Sequence, residues 1–298
     1  MSDHKKRLTR AEGEDQAGRP LPFGWRVAGH FLRGAPHFPH KWRVGSALMG
    51  RYLKGRGYAT TIAFDRGQKI TVHLDDWIPF QIFLTGLYET EDAQTRFFRR
   101  LVRAGMVVFD VGANVGYYTL QAAVRVGPRG RVHAFEAVDG TYARLRRNIR
   151  LNNFANVLAQ RCVVRDRAGQ AEIFVADAGN TGTSRLSAWP ANASGRSEQV
   201  RAIALDDYAR ARGVRQVDVV KIDVEGSELL VLSGMERLLR RGRPRLLVEV
   251  SQAAAGKLFD HLGTRGYHPS RITRRGLGAI RPEEIRGKES LVLFQKKS

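Results

Sequence analysis

VVFDVGANVGYYTL, residues 107–120, is an apolar run that ends in an acid, turns on glycines and passes into a helix-compatible segment. Met106–Phe109 reads as a buried strand and Asp110 as the carboxylate at its tip. Gly112, Ala113, Asn114, Val115 and Gly116 form a tight turn, and a helix starts near Tyr117. Strand, glycine turn and helix N-terminus in this order make the ligand site of doubly wound α/β proteins, which lies beyond the carboxyl ends of the strands. Glycine lets the backbone approach a ligand with no Cβ in the way.

The ligand is not read as a dinucleotide. That fingerprint needs G-x-G-x-x-G facing a pyrophosphate, whereas here Gly112 and Gly116 are separated by three residues and Asn114 stands between them. Asp110 repels a pyrophosphate and suits a cationic group. S-adenosylmethionine (SAM) carries a sulfonium and an α-ammonium and no phosphate. Arg131–Glu136 reads as a second buried strand ending in an acid. A carboxylate at that tip accepts hydrogen bonds from the vicinal ribose hydroxyls of a nucleoside.

Alternation and turn signals extend the pattern along the chain. A strand pair is expected at Ala59–Ala63 and Lys69–Leu74 with Asp65-Arg66-Gly67-Gln68 as its turn, then an amphipathic helix over Glu91–Ala104. Strands follow at 106–110, 131–136, Val157–Val164, Val217–Asp223 and Arg245–Val250. Helices are read at 117–125, 140–151, Ser227–Arg240 and 252–264. Gln170–Ala176 is read as an extra strand, and Gly179–Ser197 as a functional loop because it is long for a structureless connection. Tyr267–Ile272 and Leu291–Gln295 close the sheet, the last strand antiparallel.

FDVGANVGYYTL, HAFEA, NIRLNN, LDDY, VVKIDVEGSE and PRLLVEV together resemble the FkbM-type SAM-dependent methyltransferases, from about Gly86 to the C-terminus. The resemblance implies an α/β class I methyltransferase fold: a Rossmann-like doubly wound sheet, mostly parallel with an antiparallel last strand, plus a small N-terminal extension. It implies SAM as cofactor and O-methylation of a sugar, glycolipid or polyketide-like acceptor. Asp110, Gly112, Asn114, Gly116 and Glu136 form the expected cofactor site. By resemblance, Glu89 approaches the methionine end of SAM and Asp166, after the third strand, its adenine. The chain has Phe135-Glu136-Ala137 where the family commonly has Phe-Glu-Pro, so it keeps the acid and lacks the proline.

The chemistry is expected at the carboxyl ends of the first, fourth and fifth parallel strands. Methyl transfer is an in-line displacement, and positioning supplies much of its rate. An alcohol acceptor also needs a destination for its proton. Asp223 and Glu225 alternate on the fourth strand and Glu249 ends the fifth, which makes these three the candidate catalytic residues. Three roles are open to the group: binding a divalent cation, acting as general base, or pairing structurally with Lys221. Asp206-Asp207 reads most simply as the cap of helix Asp207–Arg212, kept near the site by the resemblance. His73 and His133 read as structural, and no paired-histidine, H-x-E or CxxC metal spacing occurs.

Composition bounds the rest. The 298 residues suit one large domain with an extension, divided as a charged disordered tail (1–20), an N-terminal helical and β extension (21–85) and the methyltransferase domain (86–298). The extension mixes aromatic and basic residues, which suits either a membrane-surface or partner-binding segment or a helical cap over the substrate side. The single cysteine, Cys162, excludes an internal disulfide and reads as a buried thiol. No run approaches the ~20 apolar residues of a membrane span, and the polar N-terminus lacks a secretory pattern. A cytoplasmic protein is expected, peripheral at the inner membrane face in the variant reading. Net charge is +21, a field that attracts polyanions. Small-molecule or lipid-linked glycan acceptors are the expected partners, with an anionic membrane surface beside them. The charge also sustains two rivals: an RNA methyltransferase, and a non-catalytic module that holds membrane or nucleic acid.

Overall fold

The computed structural model describes residues 18–34, 41–86, 92–175, 196–285 and 290–296. Most of the expected loop 179–197 and of the tail 1–20 lies outside them. The chain begins with β1 (Arg19–Pro20), α1 (Phe23–Gly34) and α2 (Lys41–Leu53), followed by the hairpin β2 (Tyr58–Phe64) and β3 (Gln68–His73). The hairpin turns where expected, over residues 65–67, with Phe64 opposite Gln68 and Gly67 left-handed at φ +85°. β1 adds to β2 in parallel to give a three-stranded sheet, and α3 (Trp77–Thr85) leads out of it.

The main body runs α4 (Asp92–Leu101), β4 (Val107–Val111), α5 (Tyr117–Val126), β5 (Arg131–Glu136), α6 (Asp139–Leu151) and β6 (Val157–Arg161). After β7 (Val163–Val164), β8 (Gly169–Phe174), β9 (Ser197–Ile203) and α7 (Leu205–Ala211) come β10 (Val219–Ile222), α8 (Glu228–Ser233), β11 (Arg245–Val250), α9 (Ala255–Gly263), β12 (Tyr267–Thr273), β13 (Gly276–Gly278) and β14 (Ser290–Lys296). Eight strands form one sheet in the order β13-β12-β14-β11-β10-β4-β5-β6. β6, β5, β4, β10 and β11 are mutually parallel, and β14 runs antiparallel to both β11 and β12. This is the doubly wound class I methyltransferase order. The strand order reverses between β4 and β10, which makes that crevice the topological switch point.

The period of two explains both cores. On β4, Val108 packs into one apolar cluster and Phe109 into the other; on β11, Leu247 and Leu246 divide in the same way. A sheet covered on both faces needs apolar residues at both parities. The N-terminal elements add to one face: Leu21, Ile70 and Phe83 share a continuous cluster with Val108, Leu120 and Val132. Two asparagines, Asn148 in α6 and Asn152 at its C-cap, hold the edge of this layer. Asn148 accepts the Thr71 N–H at 2.8 Å and donates to the Val115 carbonyl at 2.9 Å. Asn152 accepts the Lys69 N–H and donates to the Lys69 carbonyl. Asp65 pairs with Arg125 on α5.

Several expected bounds change. The strand expected over Val157–Val164 breaks at Cys162, where the chain leaves the main sheet; Val163–Val164 pairs with β9 in a separate three-stranded sheet, order β7-β9-β8. The apolar run is continuous across the break, so the sequence does not mark it. β8 pairs with β9, a strand absent from the sequence reading. The helix expected over Ser227–Arg240 is interrupted at Gly234–Met235 and resumes as a π-helical turn over Leu238–Gly242; at the break, a Cβ on Gly234 would sit 2.1 Å from the Arg165 carbonyl oxygen, so only glycine fits. The helix at LDDY starts at Leu205, and Asp206 caps another segment, accepting the N–H groups of Arg237 and Leu238. Cys162 is buried, which pushes its thiol up to about 12. His133 is buried against the Tyr208 hydroxyl at 2.8 Å, and burial lowers it to about 4. No described helix is long and apolar enough to cross a membrane.

Candidate functional site

The site forms where the exits of β4, β5 and β10 meet. The Gly112 and Ala113 N–H groups donate to the Phe135 carbonyl, closing the β4 turn against the end of β5. Gly112 has φ +78°, and a Cβ there would lie 1.7 Å from the Asp223 carbonyl oxygen. The β10 exit therefore lies directly on the glycine turn. Asn114 is left-handed at φ +50°, and Gly116 at φ +99° is the N-cap of α5.

Glu136 joins the two turns. One carboxylate oxygen accepts the Asn114 N–H and the other accepts the Val138 N–H, each at 2.9 Å. Burial raises the carboxyl to about 7, against the lowering pull of these backbone donors, and Asp110 raises it further. Each oxygen has a second acceptor direction, so the side chain that shapes the turns keeps capacity for a diol.

Asp110 sits one strand away, wholly buried. Its Oδ2 accepts the Thr119 hydroxyl, while its Oδ1 is buried with no hydrogen-bond partner among the described residues. Burial raises this carboxyl, with Lys221 pulling the other way. An orphan buried acceptor next to a glycine turn suits a donor or cation on a ligand. The residues therefore fit a nucleoside cofactor bearing a positive charge.

Lys221 is the register partner of Asp110 across β4 and β10. Its ammonium is buried, 2.7 Å from Asp223 Oδ2 and 4.7 Å from the centroid of the Tyr118 ring. Burial alone would raise the Asp223 carboxyl. The Lys221 ammonium and a side-chain hydrogen bond with Glu249 outweigh it and hold Asp223 below the usual carboxylate range. The structure thus brings together Asp110, Lys221, Asp223 and Glu249. Pairing with Lys221 was one of the three roles the sequence left open for the acids, and Asp223 makes that pair; a lysine inside the apolar run VVKI needs such a partner.

Three other expected residues fall differently. β10 ends at Ile222, and Glu225 lies in the following turn at φ +50°. Strand alternation therefore does not align it with Asp223, as the sequence reading assumed. Asp166 is not at the tip of β6, because the chain has already entered the second sheet. It pairs with Arg165 at 2.9 Å, and its backbone faces Gly234. Glu89 lies outside the described residues. Glu228 is buried and accepts the Gly226 N–H at 2.9 Å, bracing the β10 exit turn. Among the described residues no group of three His, Cys, Asp or Glu side chains is arranged to hold a metal.

Comparison with known proteins bears on the same region. The methyltransferase FkbM domain family matches residues 110–269. The 31-O-demethyl-FK506 methyltransferase FkbM of Streptomyces tacrolimicus is 32% identical over 166 residues, 45% of this chain and 61% of that protein. Methyltransferase 1 of Beauveria bassiana is 28% identical over 145 residues, 43% of this chain and 58% of that protein. The matches thus span less than two thirds of these relatives' length. Among solved structures, methyltransferase FkbM from Methylobacillus flagellatus aligns at TM-score 0.41 and 15% identity, over 72% of this chain and 54% of that one. M. jannaschii TYW2 in complex with AdoMet aligns at TM-score 0.45 and 14% identity, over 80% of this chain and 87% of that one.

Proposed function

Since the chain belongs to the FkbM methyltransferase family and is a SAM-dependent methyltransferase, we propose that it methylates a hydroxyl oxygen of a polyketide, sugar or lipid-linked acceptor. The observation that carries this reading is the Lys221–Asp223–Glu249 group beside the glycine turn. It offers carboxylate oxygens to a hydroxyl proton and contains no planar amide clamp of the kind an amino nitrogen calls for. The matched Streptomyces protein is named as a 31-O-demethyl-FK506 methyltransferase, which supports an oxygen acceptor.

SAM, when bound, supplies a methyl group on a sulfonium that leaves as a neutral thioether. The protein's part is to orient and to hold charge. In this reading Glu136 accepts the ribose hydroxyls, and Asp110 Oδ1 receives a donor from the methionine end. Asp223 accepts the hydrogen bond of the acceptor hydroxyl and takes its proton, while Glu249 donates to Asp223 and steadies it. Lys221 positions Asp223 and keeps it ionised. Purified protein incubated with labelled SAM and polyketide, sugar and glycolipid alcohols should yield label in an ether, stable to mild base. Label only in an ester, an amine or RNA would overturn the assignment.

Glu136 adds a pH dependence. Its carboxyl is raised from 4.5 to about 7 in the free protein, so folding favours the protonated form. That stabilisation is fully present below the unfolded value and is lost as pH rises through about 7. The ionised form accepts both ribose hydroxyls, whereas protonation turns one of its oxygens into a donor. SAM affinity should therefore rise about tenfold between roughly pH 6 and 8, with release of a proton. Calorimetric titration in two buffers of different ionisation enthalpy reads both quantities. A flat profile without proton release would remove Glu136 as the ribose acceptor.

A further inference from the structure

The outward face of α1 is at odds with a surface helix. Its inner face, Trp25, Ala28, Gly29 and Leu32, packs against the body. The seat is tight, because a Cβ on Gly29 would lie 2.3 Å from the Phe83 ring. Arg33 fastens the C-terminal turn by donating to the Phe83 carbonyl. Phe23, Val27 and Phe31, one helical turn apart, nevertheless point the other way at 77%, 50% and 75% exposure. They form a ridge about 12 Å long. Tyr52 of α2, 55% exposed, stacks on Trp25 beside it.

The charges along this stretch of chain have one sign. Between Asp15 and Asp65 the chain has no acidic residue, while Arg19, Arg26, Arg33, Lys41, Arg43, Arg51, Lys54 and Arg56 fall in that span. Arg26 and His30 flank the ridge on α1 itself, and both are exposed. A second copy of this chain would bring the same positive patch against itself, so an isologous contact across the ridge is opposed by its own charge. Exposed aromatic residues within a basic surrounding match the interfacial region of an anionic bilayer, where rings enter the headgroup boundary and cations meet lipid phosphates.

We propose that α1 docks this protein on anionic membrane surfaces, with Phe23, Val27 and Phe31 inserted and the flanking basic residues on the headgroups. This docking does not depend on the nature of the methyl acceptor. Binding needs both parts, because the apolar ridge is short and exposed charge alone is screened by salt.

Cosedimentation with phosphatidylcholine vesicles, with and without about one third phosphatidylglycerol, tests it on the full chain. Wild-type protein should bind the anionic vesicles, bind the neutral ones far less, and be released by high salt. The double variant Phe23→Ser/Phe31→Ser should weaken anionic binding by about tenfold or more. Val27→Glu should do the same, and serves if the double variant fails to fold. Calorimetric SAM titration of each variant should match wild type, which separates loss of docking from loss of the enzyme. Three results would each overturn the proposal: no binding to anionic vesicles, variants that bind as wild type does, or a wild-type dimer that the ridge variants dissolve into monomers.

Discussion

Lys221→Met should destabilise the protein by about 3–5 kcal/mol and reduce methyl transfer by at least about 100-fold. The ammonium is almost fully buried and lies 2.7 Å from Asp223, and its field also reaches Asp110. Removing it leaves two carboxylates near the switch point with no cation, and breaking a buried pair at one partner costs on this order. Methionine nearly conserves the volume, so the effect reads the charge. The double variant Lys221→Met/Asp223→Asn removes the stranded charge and should recover a large part of the stability without recovering activity. Denaturant unfolding and single-turnover methylation, measured on both variants, separate the two effects. A Lys221→Met protein with wild-type turnover would show that Asp223 needs no positioning cation.

Gly112→Ala should abolish SAM binding and cost on the order of 3–5 kcal/mol. Two penalties combine. The left-handed φ of +78° is unfavourable for any side chain, and the new Cβ would lie 1.7 Å from a backbone oxygen. A flexible neighbour could swing aside, but the Asp223 carbonyl is fixed by the register of β10 on β4, where the Asp223 N–H donates to the Val111 carbonyl at 3.0 Å. Relief therefore requires the β10 exit to lift off the turn, and Asp223 moves with it. Gly226→Ala is the informative control: it shares the positive φ at +90°, yet its Cβ meets nothing within 4 Å. It should cost only the backbone strain, about 1–2 kcal/mol. Equal losses from both variants by thermal unfolding would show that backbone conformation, and not the crossing of the two exits, explains Gly112.

The parallel core was legible because burial on both faces leaves a plain trace. The stretches 107–109, 132–135 and 246–248 are apolar apart from His133, and an acid follows each of them. Chain geometry that depends on distant contacts left no such trace. The exit at Cys162 looks like more of the same strand, since Val163 and Val164 are as apolar as what precedes them. β9 follows a polar stretch and shows only weak alternation. The demand for glycine at 234, where the helix breaks, comes from the Arg165 backbone, 69 positions earlier in the chain. The same division holds at the site. Strand-end acids Asp110, Glu136 and Asp223 could be picked out by position. The alignment of Glu225 could not, because the strand ends a residue earlier than its pattern suggests and the turn at φ +50° redirects the chain.

The asparagine joint between α6 and the N-terminal sheet recognises no side chain on the sheet. Asn148 and Asn152 meet the N–H of Thr71, the N–H and carbonyl of Lys69 and the carbonyl of Val115, all of them main-chain groups. As far as these bonds go, any strand of the same pitch could be seated there, with inward residues such as Ile70 still chosen by the apolar layer beneath. The joint is thus a fitting of fixed form into which differently lettered segments can be exchanged. The sheet's outward residues can be replaced while the glycine turn, held at Val115 by the same asparagine, keeps its shape.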